Sequence, residues 1–477
     1  MNILLLFFTY FVAVLLIVLL KKQRTVEVIA SIATVIQIFF GATIINEVIQ
    51  NRKYLYGYFL VDSFSALLLG ITLLLGCIVT LYAIGYLRAE IVKKIISYQR
   101  AWQCYILLQI FLLLICLALT TTLPIVMWIA IEGTTLATVF LINFFQRPND
   151  VEASWKFLII NTLGLLMALL GTFLFSAVTK GDDVITWSSL IKMSPNIDQT
   201  FIKYAFVFIL IGYGTKMGLF PLHTWKPDAY NKGPIPFVAL LSTVLLNVAL
   251  YAILRFKVIV DFNQGSHFTS TLFIFFGVVS LVFASAVLFT QNNFKRFFAY
   301  SSIENAGLLL LAFGFGQMGV IAGLLHIIYH SLSKSMMFLV AGNIGLKYSS
   351  SFVKDVRDMV HKLPVTSLLF IVGFLSLTGV PPFGIFFSEL SILMSGFRDY
   401  PVVVVISMCA LILVFIGFFR ITFSMVFGHS SEDIRAGEAN LWTIFPLVIL
   451  VGILIVFSIY LPTMIITLIN QSQIILQ

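Results

Sequence analysis

The chain contains about fourteen apolar runs, each near the ~20 residues that a helix needs to cross a lipid bilayer. Of its 477 residues, 60% are hydrophobic and only 10% are charged. Because a soluble fold cannot bury so much apolar surface, the pattern predicts an all-α polytopic membrane protein. The runs cover residues 2–20, 27–46, 59–85, 101–119, 123–144, 155–178, 203–222, 235–256, 270–290, 297–315, 318–345, 364–395, 402–427 and 440–469.

Lysine and arginine are distributed unevenly over the segments that connect these runs. Counted over alternate connections, about eighteen lie on one side and about eight on the other. The richer side includes the clusters at 21–24, 88–100 and 347–362. Because such cations stay in the cytoplasm, we expect these segments to be cytoplasmic and both termini to lie outside, in a cell inner or plasma membrane. The first run lacks a preceding cationic region and a following small-residue cleavage site, so we expect a retained span.

Several classes of protein are excluded by the same composition. The formal net charge of +9 is dispersed along the connections and predicts no nucleic-acid partner. The four cysteines form no C-x-x-C pair, which argues against a disulfide framework, a metal site or iron–sulfur ligation. No phosphate-binding glycine motif is present, and the longest connections, near 86–100, 179–202, 347–363 and 428–439, are short. We therefore expect no cofactor and no catalytic site in this chain.

Charged residues occur inside a few of the apolar runs. Lys216 lies in a stretch that is otherwise apolar from Tyr204 to Phe220, and Lys334 and Glu389 have similar surroundings. Placing a charge inside a membrane is energetically costly, so such residues usually mark a path for ions. The three positions are therefore the first candidates for function.

Two of the runs are interrupted by helix-breaking residues, in comparable places in the two halves of the chain. The first contains Gly212, Gly214, Gly218 and Pro221 around Lys216, and the second contains Gly379, Pro381, Pro382 and Gly384 just before Glu389. Breaks of this kind free backbone groups that must find other partners or line a hydrated cavity, and paired breaks are typical of inverted-repeat transporters. We expect two inverted five-helix repeats at 101–256 and 257–430, between N-terminal helices at 1–100 and a C-terminal helix at 431–477.

His326, His330 and Lys334 follow one another at intervals of four residues, so they share one face of a helix. Imidazole changes its charge near neutral pH, and this face is therefore suited to relaying protons. Two histidines at this spacing can also bind a metal ion, although no third or fourth ligand is near in sequence. Histidines that serve only in helix packing are the remaining interpretation.

Ordered motifs between residues 100 and 430 carry a family resemblance. They are W-I-A-I-E-G-T-T-L-A (128–137), T-K-M-G-L-F-P-L-H-T-W-K-P-D-A (215–229), Q-N-N-F-K-R-F-F-A-Y-S-S-I-E (291–304), L-L-H-I-I-Y-H-S-L-S-K-S (324–335) and G-V-P-P-F-G-I-F-F-S-E (379–389). With them the chain resembles the antiporter-like proton-channel subunits of respiratory complex I, group 4 hydrogenases and multisubunit cation/proton antiporters. It looks most like the hydrogenase-4 component F branch.

The resemblance implies roles for two charged residues of the first half. Glu132 matches the buried glutamate of the fifth helix, and Lys216 matches the lysine of the broken seventh helix that pairs with it. A low-dielectric site favours a neutral lysine, whereas a nearby carboxylate favours the charged form. Moving the proton or partner of Glu132 would therefore switch Lys216 between holding and releasing a proton. A purely structural ion pair is the alternative.

Glu389 matches the ionisable residue of the broken twelfth helix, from which the family is thought to discharge protons outward. Lysine there would resemble the distal complex I subunit or the cation/proton antiporters, whereas glutamate resembles hydrogenase-4 component F and one central complex I subunit. We also expect the chain to lack the long lateral helix of the distal complex I subunit. Asn247 and Asn293 depart from the family, which has lysine and aspartate at those positions in some or most members.

Further polar residues are weaker candidates. Glu304 is expected either to receive protons or to be a structural partner of Lys295 or Arg296. His223, Lys226 and Asp228 lie just past Pro221 and are expected to face a loop.

The function that the resemblance implies is proton translocation by a subunit of a multisubunit redox-driven complex, a proton-pumping oxidoreductase. Protons would reach Lys216 from the cytoplasm, pass the region of His330 and Lys334, and leave from Glu389. The expected partners are lipid, other membrane and peripheral subunits, and H⁺ or Na⁺. Two alternatives remain open: a cation/proton antiporter subunit, which Glu389 disfavours, and the membrane subunit of a two-component inorganic-carbon uptake system.

Overall fold

The computed structural model describes residues 1–177, 184–429 and 434–476. Within these ranges the chain forms twenty α-helices and one two-stranded hairpin, β1 (Lys53–Tyr56) and β2 (Phe59–Asp62). The helices are α1 (Asn2–Leu20), α2 (Gln23–Asn51), α3 (Ser63–Val92), α4 (Tyr98–Thr120), α5 (Pro124–Ile142), α6 (Pro148–Ala177), α7 (Trp187–Met193), α8 (Gln199–Met217), α9 (Trp225–Lys232), α10 (Ile235–Leu240), α11 (Leu246–Gln264), α12 (His267–Phe289), α13 (Phe294–Gly314), α14 (Gln317–Tyr348), α15 (Met359–Lys362), α16 (Pro364–Leu377), α17 (Gly384–Gly396), α18 (Pro401–Phe427), α19 (Phe445–Ile459) and α20 (Thr463–Leu476). The predicted connections 179–202 and 428–439, and the end of the run 155–178, lie partly outside the described residues.

Twelve helices of the described residues are long and apolar enough to cross a membrane. One of them is α10 continued through a π-helical turn (Leu241–Leu245) into α11. The two interrupted runs are additional to these twelve, and each consists of two helices, α8 with α9 and α16 with α17. The prediction of an all-α polytopic membrane protein with broken helices is confirmed.

The first break is shorter than the glycines around Lys216 suggest. Helix α8 continues through Gly212 and Gly214 and ends at Met217, where Gly218 adopts a left-handed conformation with φ 82°. A residue with a Cβ is strained in this conformation, which makes Gly218 the residue that stops the helix. Gly212 serves packing instead, because a Cβ there would collide with the backbone of Ala168 on α6.

The second break follows the same plan. Helix α16 ends at Leu377, Gly379 has a positive φ of 64°, and α17 begins at Gly384. The two prolines between them have no amide hydrogen and cannot continue the α-helical hydrogen bonds. The break therefore lies at the residues from which it was predicted.

The last predicted run, 440–469, is divided into two helices. Helix α19 ends at Ile459, Tyr460 is extended, and α20 begins after Pro462. Proline lacks an amide donor, so the helix cannot pass through this position unbroken. Helix α20 returns to pack on α3, where Ser63 donates a 2.6 Å hydrogen bond to Gln471.

The polar residues lie in the centre of the bundle. Helices α3, α10, α11, α13 and α14 are almost completely surrounded by other helices, whereas α1, α2, α12, α18 and α19 expose large apolar side chains. Because no water is available in a bilayer, polar groups are tolerated where protein covers them. Candidate ion-carrying residues are therefore concentrated on the central helices and their neighbours.

Candidate functional site

Three lysines of the described residues are deeply buried. The exposed fraction is 1% for Lys216 on α8, 1% for Lys226 on α9 and 0% for Lys334 on α14. None of the three forms an ion pair within the described part of the chain, and each ammonium group donates to a neutral oxygen instead. Burying an ammonium group in an apolar interior is energetically costly, so each of these lysines depends on the oxygen atom that accepts its hydrogen bond.

Lys216 and Glu132 are connected through a hydroxyl group. The ammonium group of Lys216 donates to Thr135 Oγ1 at 2.7 Å, and the Thr135 hydroxyl donates to Glu132 Oε2 at 3.2 Å. Thr162 on α6 donates to the other carboxylate oxygen, also at 3.2 Å. Glu132 is half-buried, so the expectation that it is a buried direct partner of Lys216 needs correction. A hydroxyl can accept from an ammonium and donate to a carboxylate at once, which makes Thr135 an intermediate between the two.

The two histidines of α14 share one face, as their spacing predicts, but their surroundings differ. Their ring centroids are 5.9 Å apart and the rings are almost parallel, at 14°. His326 has a partner on each nitrogen: Ser388 Oγ lies 3.0 Å from Nδ1 and Asn305 Oδ1 lies 2.9 Å from Nε2. His330 is fully buried, and neither of its nitrogens has a hydrogen-bond partner among the described residues.

Lys334 lies on the same face of α14 and contacts α13. Its ammonium group donates to Ser301 Oγ at 2.9 Å. The carbonyl of Ser301 accepts a 2.9 Å hydrogen bond from the Asn305 side chain, whose oxygen reaches His326. A connected series of polar groups therefore runs from Lys334 through α13 to His326 and on to Ser388 of α17.

Glu304 belongs to this series. The alternative prediction, that it is a structural partner of Lys295 or Arg296, is wrong. Asn305 Nδ2 donates to Glu304 Oε2 at 2.6 Å, while Oε1 has no partner in the described ranges. Lys295 and Arg296 lie eight or nine residues earlier on α13, about 12–13 Å along the helix axis, and cannot reach it. Arg296 instead donates to Asp228 at 2.8 Å.

Glu389 lies at the second break, beside the backbone of α16's end. It is half-buried on α17, and a Cβ added to Gly379 would meet its Oε2 atom. The neighbouring Phe387 and Leu390 are exposed on the apolar surface of the bundle. Ser388, the residue before Glu389, makes the contact to His326. Glu389 therefore lies next to the end of the polar series, at the outer edge of the bundle.

His223 and Lys226 were expected to face a loop, and the structure corrects this. Both are buried, and Lys226 Nζ donates to the carbonyl of Met217 at 2.8 Å, at the end of α8. The sequence gives little sign of this burial, because the residues follow a break and alternate with polar neighbours. Asp228 is half-exposed and forms an ion pair with Arg296, which is closer to the expectation that it faces a loop.

A polar cavity of about 220 Å³ lies on one side of the bundle, where α3, α9 and α14 end and α6 and α13 begin. Its charged lining residues are Glu90, Lys93, Arg147, Asp150, Lys232 and Lys295. Glu90 Oε2 is buried and has no hydrogen-bond partner among the described residues. No sequence motif indicates this cavity, because its lining residues come from five distant parts of the chain. In the described ranges, no three His, Cys, Asp or Glu side chains are grouped as metal ligands.

A many-helix membrane bundle with two broken helices and ionisable groups buried between them is the architecture of an ion-translocating membrane subunit. The family described as "NADH:quinone oxidoreductase/Mrp antiporter, TM" matches residues 122–417, and the chain belongs to this family.

Two relatives illustrate the range of the family. The chain is 37% identical over 350 residues to the hydrogenase-4 component F homolog of Methylacidiphilum infernorum, covering 72% of this chain and 74% of that protein. It is 32% identical over 302 residues to NADH-quinone oxidoreductase subunit N of Desulforudis audaxviator, covering 62% of this chain and 59% of that one. The prediction of an antiporter-like subunit similar to hydrogenase-4 component F is confirmed.

Solved structures show the same fold. A chain of the membrane-bound sulfane sulfur reductase, an archaeal respiratory membrane complex, superposes with a TM-score of 0.88 at 23% identity, covering 99% of this chain and 97% of that one. A chain of the Mrp complex from Dietzia sp. DQ12-45-1b gives 0.86 at 17% identity, with 98% and 95% covered. A chain of respiratory complex I from Thermus thermophilus gives 0.77 at 22% identity, with 96% and 97% covered. These relatives are subunits of multisubunit membrane complexes.

Proposed function

We propose that the chain carries protons across the membrane as one subunit of a larger complex. The observation that carries this proposal is the set of ionisable residues buried in an apolar bundle and linked by hydroxyl, amide and imidazole groups. Among these residues the lysine, carboxylate and imidazole groups accept and release protons without binding a larger solute. An ion path is also the usual reason for charged residues inside a membrane.

The proposed path has three parts. Protons reach Lys216 from the cytoplasmic side, pass the region of His330 and Lys334 in the plane of the membrane, and leave from Glu389 to the outside. The orientation rests on the excess of lysine and arginine in alternate connections, which places both termini outside the cytoplasm. The polar cavity at Glu90 opens on the same, lysine-rich side. The half-buried position of Glu389 at the edge of the bundle suits an exit.

Glu132 acts in this proposal as the group that controls Lys216. A charged carboxylate stabilises the ammonium form of the lysine. This stabilisation is lost when the carboxylate is protonated or pairs with another cation. The signal passes through the hydroxyl of Thr135, which contacts both groups. Because Glu132 is half-exposed at the surface of the bundle, a neighbouring subunit can act on it.

The proposal includes two further statements, one about internal repeats and one about the driving reaction. Residues 101–256 and 257–430 are inverted repeats, which is supported by the broken helix that the described part of each contains. The driving reaction belongs to partner subunits, because the relatives are named as components of hydrogenase-4 and NADH-quinone oxidoreductase. The most direct coupling is therefore redox-driven, with H⁺ as the ion and the cell membrane as the location.

The test is proton movement by the purified complex in sealed vesicles. The genes next to this one identify the partner subunits and the driving reaction. This reaction is then started in the vesicles, and a pH-sensitive dye reports their acidification. Replacing Na⁺ by K⁺ in the medium separates H⁺ transport from Na⁺ transport. The proposal requires acidification that depends on the driving reaction and persists without Na⁺. A complex that turns over without moving protons, or only with Na⁺, would contradict it.

A further inference from the structure

Lys226 is a buried amine that has no part in the path described above. It lies on α9, the short helix after the first break, and is 1% exposed. Its ammonium group donates to the carbonyl of Met217, the residue that follows Lys216, at 2.8 Å. No carboxylate of the described residues lies within ion-pair distance. On one side, Lys226 therefore contacts the backbone next to Lys216.

The other side of Lys226 faces the second half of the bundle. Its Nζ atom lies 5.8 Å from the centroid of the Tyr230 ring, and this ring packs edge-on against Phe338 at 5.4 Å. Lys334 Nζ lies 5.9 Å from the centroid of the same Phe338 ring. Aromatic faces stabilise a nearby cation without fixing it in an ion pair.

Helix α9 connects the two groups of functional residues. It packs against α6, whose Phe157 lies 5.0 Å from Lys216 Nζ, and against α13, whose Ser301 binds Lys334. Lys226 therefore lies on a short helix that contacts both neighbourhoods.

Helix α11, in the centre of the bundle, offers no replacement for Lys226 at the position of Asn247. Asn247 on α11 donates to Ser331 Oγ at 2.8 Å, and its oxygen has no partner among the described residues. An amide does not titrate, so Asn247 cannot store a proton. The next cation on α11, Arg255, is eight residues away, about 12 Å along the axis, and does not deprotonate.

We propose that Lys226 is a further proton carrier, which receives a proton from the side of Lys216 and passes it towards His330 and Lys334. This inference rests on the proposed function. The step is a proton transfer alone: the neutral amine binds a proton with its lone pair and releases it to the next base, with no change of oxidation state. The alternative is that Lys226 only occupies the free Met217 carbonyl at the end of α8.

Two substitutions separate a carrier from such a helix cap. Lys226→Arg keeps the positive charge and the donors but cannot release a proton. Lys226→Gln keeps a donor for the Met217 carbonyl but does not titrate. Lys203, a partly exposed residue near the start of α8, provides the matched controls Lys203→Arg and Lys203→Gln.

The measurement is the rate of acidification of vesicles that contain the assembled complex, at equal amounts of this subunit. For a carrier we expect both Lys226 variants to assemble and to lose tenfold or more of the wild-type rate, with both Lys203 variants unchanged. Wild-type rates in either Lys226 variant would show a cap and overturn the inference. Failure of both to assemble would also overturn it, since a requirement for folding would explain the buried amine.

Lys216→Ala separates this inference from the proposed function. If the wild-type complex moves no protons, the proposed function fails, and the inference fails with it. If wild type moves protons and Lys216→Ala does not, while Lys226→Arg does, only the role of Lys226 is refuted.

Discussion

Lys216 reaches Glu132 through the hydroxyl group of Thr135, which accepts from the ammonium group at 2.7 Å and donates to the carboxylate at 3.2 Å. The carboxylate can therefore influence the lysine without contacting it. Such a link breaks more easily than an ion pair, because rotation of one small hydroxyl is sufficient.

Thr135→Val tests this link. Valine has nearly the same shape but offers neither a donor nor an acceptor, so Lys216 and Glu132 each lose a partner. We expect proton transport to fall about tenfold, equivalent to ~1.4 kcal/mol, with assembly retained. Thr138→Val is the control, because the Thr138 hydroxyl bonds only the carbonyl of Thr134 on its own helix. Equal rates in the two variants would show that the hydroxyl link has no role.

Lys216→Ala is expected to abolish proton transport while the subunit stays in the membrane. Lys216→Arg should fail as well, because guanidinium does not deprotonate in proteins. Acidification of vesicles and the amount of assembled complex are measured together. Coupling at the wild-type level in the alanine variant would remove Lys216 from the path.

Glu389→Gln distinguishes a proton exit from a structural carboxylate. Glutamine keeps the shape but does not titrate, so assembly should survive while transport falls at least tenfold. Glu389→Asp still titrates, with a side chain one methylene shorter, and should retain part of the activity. Glu152→Gln changes an exposed glutamate on α6 and serves as the control. Wild-type acidification by the Gln variant would mean that protons leave elsewhere.

Gly379→Ala probes the backbone that lies beside Glu389. The positive φ of 64° strains any residue with a Cβ, and the added methyl group would meet the carboxylate. We expect a loss of ~1–2 kcal/mol in stability, seen as a lower melting temperature in detergent, together with reduced transport. Gly345→Ala on α14 is the contrast, because nothing lies within 4 Å of its added Cβ. It should be neutral or raise stability by ~0.5–1 kcal/mol. If both variants melt alike, the strain at Gly379 is not significant.

The membrane class, the broken helices and the common face of His326, His330 and Lys334 follow from the sequence alone. Apolar runs of spanning length, glycines and prolines within them, and a spacing of four residues are all local signals. Each depends on the geometry of one helix, which the chain adopts wherever it lies in the bundle.

The partners of the charged residues were decided by the tertiary structure. Thr135 between Lys216 and Glu132, Asn305 between Glu304 and His326, and the burial of Lys226 all depend on which helix faces come together. Those faces are set by packing between segments that are distant in the chain, such as the close approach of α6 and α8 at Gly212. A sequence pattern records which face of a helix carries a group, but the hydrogen bonds of that group depend on the neighbour that covers it.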